Sequence, residues 1–120
     1  MRRQATQLLI LIIPDNGKME QILVKMMEAG IRGGSLVDCE GALQAVGQSK
    51  LRKPPVFSSL EQYLKPDTGK GKMLLAAMDT EQIEITHRIV NEVTSGLQKA
   101  NTGVFLTLPL GFVDGVRGDV

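Results

Sequence analysis

The sequence has no tryptophan, one cysteine, one histidine and no excess of charge of either sign. A lone cysteine, Cys39, has no partner for an intramolecular disulfide. A lone histidine, His87, leaves no second imidazole for a paired zinc site and makes any Ser-His-Asp or Cys-His arrangement depend on one position. The 14 Lys and Arg against 13 Asp and Glu give a net charge of +1, which argues against a basic nucleic-acid-binding surface. One tyrosine and three phenylalanines supply few platforms for base stacking, so nucleic acid is not an expected partner. The chain also lacks an apolar run near the roughly 20 residues of a membrane span, so direct membrane insertion is not expected. Met1-Arg2-Arg3 ahead of Leu8–Ile13 imitates a secretory signal, but the apolar run is short and stops at Pro14-Asp15 without a small-residue cleavage site. A reducing, cytoplasmic setting is expected.

What is present is apolar content of 42% over 120 residues, sufficient for one packed domain spanning 1–120. Leu8 to Ile13 is continuously apolar and closed by Pro14-Asp15-Asn16-Gly17, which predicts a strand buried on both faces. Met19, Ile22, Leu23, Met26 and Met27 recur at helical spacing, and Gly30 stands where a C-cap ends the turn, so 18–29 reads as an amphipathic helix. The methionines are core-filling residues on this reading. Ser35 to Glu40 has the mixed character of a half-exposed strand. Lys72 to Met78 is a second apolar strand. Asp79 with Gln82 three residues on forms a capping box for a second helix, whose apolar positions Ile85, Ile89, Val93 and Leu97 are spaced by four. Val104 to Leu110 is the last strand, and Pro109 points to an edge position.

The order is β-α-β followed by β-α-β, which predicts an α+β, ferredoxin-like βαββαβ sandwich with an antiparallel sheet. Two helices cover one face of such a sheet. The central strands are apolar on both faces, so an oligomer that packs its open sheet faces together is expected.

Residues 41–71 form a connection far longer than the usual four to six or so. The segment holds Lys50, Arg52 and Lys53, which suit a phosphate, an acidic partner or simple solvation, and then Ser58-Ser59-Leu60-Glu61, a one-turn capping signature. Thr68-Gly69-Lys70-Gly71-Lys72 lacks the phosphate-loop spacing and precedes a strand, not a helix. Asp15-Asn16-Gly17 reads as turn chemistry and His87 as a surface position.

Glu28-Ala29-Gly30-Ile31-Arg32-Gly33 running into Val37-Asp38-Cys39-Glu40-Gly41, with Asn101-Thr102-Gly103-Val104 opening the last strand, resembles the PII nitrogen-regulatory signalling superfamily. The likeness spans nearly the whole chain and is nearest to divergent PII-like members, through Phe57-Ser58-Ser59-Leu60 in the long segment. It implies a homotrimer of non-catalytic subunits that bind adenine nucleotides, and often 2-oxoglutarate, in clefts between subunits. The long loop would grip a membrane transporter or a metabolic enzyme. Carried over by position, Gly41, Asn101, Thr102, Gly103 and Arg117 would meet the ligand, and Lys50, Arg52, Lys53 and Tyr63 would lie on the partner-binding loop. The turn before the last strand keeps one glycine and no lysine, Glu40 stands where the family has a cation, and Gly115 replaces one of two arginines. ATP, ADP and AMP are therefore candidates for the effector. The other reading on this fold is a small-molecule-binding or divalent-cation tolerance module, for which Asp38, Cys39 and Glu40 are the available ligands. An acylphosphatase-like enzyme would need an arginine in the first strand-helix loop, where Pro14-Asp15-Asn16-Gly17 has none.

Overall fold

In the computed structural model the described residues are 4–50, 52–60 and 69–116. Four strands, β1 (Gln7–Pro14), β2 (Ser35–Glu40), β3 (Lys70–Met78) and β4 (Val104–Pro109), form one antiparallel sheet in the order β2-β3-β1-β4. Helix α1 (Lys18–Glu28) follows β1, and α4 (Thr80–Thr94) follows β3. Two short helices, α2 (Ala42–Gln48) and α3 (Phe57–Leu60), lie in the β2–β3 connection. This α+β arrangement is compatible with a ferredoxin-like fold. Among the described residues no helix is long and apolar enough to cross a membrane.

The local signals explain most boundaries. Gly17 takes a left-handed φ of 85° at the start of α1, and the Asn16 side chain accepts a hydrogen bond from the Lys18 amide at 3.2 Å. At the other end Gly30 has φ 86°, with its amide bonded to the Met27 carbonyl and the Ile31 amide to the Met26 carbonyl, a Schellman termination. Ile31 then drops into the core. The capping box of α4 is complete: the Asp79 carboxylate accepts from the Gln82 amide at 2.8 Å, and the Gln82 side chain accepts from the Asp79 amide at 3.1 Å.

Leu9, Leu11 and Ile13 of β1, Leu74, Ala76 and Met78 of β3, and Met19, Ile22, Met26, Ile89 and Val90 of the helices make one core. Three helix details depart from the sequence pattern. Met27 is exposed, because at about 100° per residue it stands about 140° round the helix from Ile22, at the centre of the buried stripe. The buried line of α4 runs through Gln82, Thr86, Val90 and Thr94, with Ile85 and Val93 at its margin. Two threonines are accommodated there because each satisfies its hydroxyl locally, Thr94 to the Val90 carbonyl at 2.7 Å and Thr86 to the Met78 sulfur at 3.7 Å. Leu97 lies outside the helix, since Ser95 turns left-handed at φ 64° and the Gly96 amide bonds back to the Thr94 hydroxyl, yet its side chain still reaches the core.

Both helices pack on the Leu9-Leu11-Ile13 face of the sheet, so β1 is fully covered on one face where its sequence predicts two. The β2–β3 connection, expected as a long loop, opens with a two-turn helix. Ala42, Leu43, Gln44 and Ala45 are good helix formers, but the run is too short to show a period.

Replacing Asp79 with Ala removes the carboxylate that accepts from the Gln82 amide and leaves only the bond from the backbone amide of position 79 to the Gln82 side chain. A loss of about 1 kcal/mol is expected in urea-unfolding midpoints, with α4 amides showing the largest gain in hydrogen exchange.

Candidate functional site

The C-terminal ends of β1 and β2 and the N-terminal ends of β3 and β4 lie at the same end of the sheet, as the pairings Pro14–Gly71, Glu40–Lys70 and Ile12–Val104 require. That end carries most of the residues singled out from the sequence. Gly41 follows β2 and Asn101-Thr102-Gly103 precedes β4, but these strands are the two outer ones. With β3 and β1 between them, the two groups stand about 14 Å apart at the usual strand spacing, so a single chain does not join them in one cleft.

Each group also has a structural task. The Gly41 amide donates to the Gly69 carbonyl at 2.6 Å, tying together the two ends of the inserted segment. Asn101 is left-handed at φ 64°, and the Thr102 hydroxyl donates to the Lys99 carbonyl at 2.7 Å. Gly103, at φ 137°, lies so close to β1 that a Cβ there would come within 2.7 Å of the Ile12 carbonyl oxygen. Arg117 and Tyr63 lie outside the described residues. Lys50 and Arg52 are exposed, whereas the Lys53 ammonium lies 5.8 Å from the centre of the Phe57 ring and 3.5 Å from the Ser49 carbonyl oxygen.

The pairing of β2 with β3 creates a feature that no linear motif marks. Asp38 faces Lys72 and Glu40 faces Lys70, two cross-strand pairs of opposite charge, and with Asp15, Cys39 and Gly71 they line an open groove of about 510 Å³. The Lys72 ammonium donates to the Asp38 carboxylate. That hydrogen bond first, then the Coulombic attraction of the same carboxylate, holds the Lys72 pKa above its ordinary value of 10.5. Asp38 and Glu40 occupy one face of β2 and Cys39 the other. Among the described residues no three His, Cys, Asp or Glu side chains stand close enough together to hold a metal ion. His87 is exposed on α4 with its ring edge-on to Phe105 of β4 at 4.9 Å, beside a second open groove lined by Asn91 and residues 95–99.

A third feature of the described residues is apolar. On the face opposite the helices, Leu8, Ile10 and Ile12 of β1 are flanked by Ala77, Leu75 and Met73 of β3 and by Leu108, Leu106 and Val104 of β4. No described element covers them, and Leu106 and Leu108 are each 50% exposed. Monomeric proteins in water rarely leave a continuous apolar patch of this kind open.

Because its folded pKa is raised, Lys72 contributes stability that is complete below about pH 10.5 and is lost as pH climbs through the higher folded value. In Asp38→Asn the Lys72 titration, followed by NMR at its Cε, is expected to move to lower pH, and the alkaline loss of stability contributed by Lys72 to shrink.

Compared with known proteins, the chain matches no family model and no curated protein.

Proposed function

We propose that the chain is one subunit of a PII-like, non-catalytic homotrimer that senses a small effector and regulates a partner protein through the segment between β2 and β3. The uncovered sheet face carries this reading. Three rows of apolar side chains on β3, β1 and β4 have no cover within the described chain, and burying them at roughly 25 cal/mol per Å² favours association of copies through that face. The charged pairs of β2 and β3 lie on the helix-bearing face and do not obstruct it.

The split ligand positions agree with such an assembly. When copies stand side by side around an axis along the strands, the β2 edge of one meets the β4 edge of the next, running antiparallel to it. Gly41 of one copy then approaches the 101–103 turn of its neighbour, a juxtaposition that a lone chain cannot make. A nucleotide is the foremost candidate effector. A transporter or metabolic enzyme is the expected partner, and the cytoplasm the expected setting. The cation-tolerance alternative gains nothing from the β2 geometry, where Cys39 and the two carboxylates diverge.

Light scattering coupled to size exclusion is expected to give three times the 13.0 kDa chain mass, and Leu106→Asp to give the single-chain mass with the fold retained. A monomeric wild type overturns the reading. Isothermal titration of the oligomer with ATP, ADP, AMP and 2-oxoglutarate, with and without magnesium, tests the effector. Saturable binding at one site per subunit is expected for at least one nucleotide, and silence with all four removes effector sensing of this kind from the proposal.

A further inference from the structure

Charge is unevenly distributed along the chain. From Gly41 to Leu60 there are three cations, Lys50, Arg52 and Lys53, and no Asp or Glu, a balance of +3. The remainder carries 11 Lys and Arg against 13 Asp and Glu, a balance of −2. The basic stretch is also folded. Its base is closed by the Gly41–Gly69 hydrogen bond, and α2 ends in a turn from the Ser49 amide to the Val46 carbonyl. A further turn bonds the Phe57 amide to the Pro54 carbonyl. Phe57 is only 4% exposed yet stands outside the main core cluster, with the Lys53 ammonium 5.8 Å from the centre of its ring. Lys53 is thereby a structural cation. Lys50 and Arg52 point to solvent with no ion-pair partner among the described residues, and Val46 and Val56 are exposed in the same compact segment.

We propose that residues 42–50 and 52–58 form a preorganised docking surface for an acidic protein segment in which carboxylates alternate with apolar side chains. Lys50 and Arg52 would pair with the carboxylates, and Val46 and Val56 would take the apolar side chains. The net negative remainder of the chain repels an acidic partner, which confines docking to this segment. Preorganisation by Phe57 lowers the ordering entropy that a free loop would lose on binding. A nucleic acid fits less well, because the described segment presents no exposed ring for stacking. An anionic membrane fits less well too, since two free cations fall short of the roughly four to eight in a lipid-reading basic cluster. The proposal names the partner chemistry of the loop in the preceding reading, but it does not depend on the trimer.

The test is fluorescence anisotropy of the full chain with a labelled peptide of Glu residues carrying a Leu at every fourth position. A peptide with Lys in place of Glu, phosphatidylserine vesicles and single-stranded DNA serve as competing probes. The acidic peptide is expected to bind most tightly. Affinity should weaken as salt rises from about 0.01 M to about 0.15 M, which shortens the Debye length from about 30 to about 8 Å. The surface double variant Lys50→Glu/Arg52→Glu should lower affinity at least about tenfold. Phe57→Ala should also weaken binding while leaving the unfolding midpoint of the sheet core in place. Equal binding by the double variant, or tighter binding of vesicles, DNA or the Lys peptide, overturns the proposal. An oligomer that ignores the acidic peptide overturns it alone, whereas a monomer that binds the peptide overturns only the trimer.

Discussion

The burial of β1 organises everything else in this chain. Leu9, Leu11 and Ile13 are completely buried, and they point at the helices; Leu8, Ile10 and Ile12 alternate with them and point the other way. A strand apolar on both faces must sit at the centre of a sheet, and pairing on both of its edges with β3 and β4 puts it there. Its C-terminal end then fixes the positions of the α1 turn, the Gly103 crossing and the start of β3. The two helices satisfy one face, and no described element covers the second.

The second organising feature is the separation of apolar and charged surface. The helix-free face carries no charge on β1, β3 or β4 apart from the strand ends. The Asp38–Lys72 ion pair and the opposed charges of Glu40 and Lys70 gather at the β2 edge on the opposite face. The exposed pair contributes little to stability by itself. Its value lies in keeping β2 in register, because a slip by one residue would set Asp38 and Glu40 opposite uncharged residues and turn Leu36 and Val37 to the wrong faces.

Both helices use polar groups economically. Thr86 and Thr94 stand in the core because a hydroxyl can bond to a nearby sulfur or to the carbonyl one turn back, so neither is left unsatisfied. Gln82 is buried for the same reason, its side chain being engaged by the cap. The inserted segment follows a similar rule on a smaller scale: Phe57 is buried, and the Lys53 ammonium stands over its ring.

The sequence by itself determined the elements and their caps. Strand runs, the Asp79–Gln82 box, the Gly30 termination and the edge proline Pro109 are local signals, set by backbone chemistry within a few residues. The surplus of apolar surface on β1 and β3 was equally legible, because alternation in a strand leaves no ambiguity about two faces. Side-chain periodicity could not place Met27 outside the core or Thr86 within it, since the angle at which a helix meets a sheet is a tertiary quantity. Nor could it reveal the helix at 42–48, the burial of Phe57 or the charged groove of Asp38, Glu40, Lys70 and Lys72. The groove depends on contacts between residues about thirty positions apart, and only the closed sheet brings such residues together.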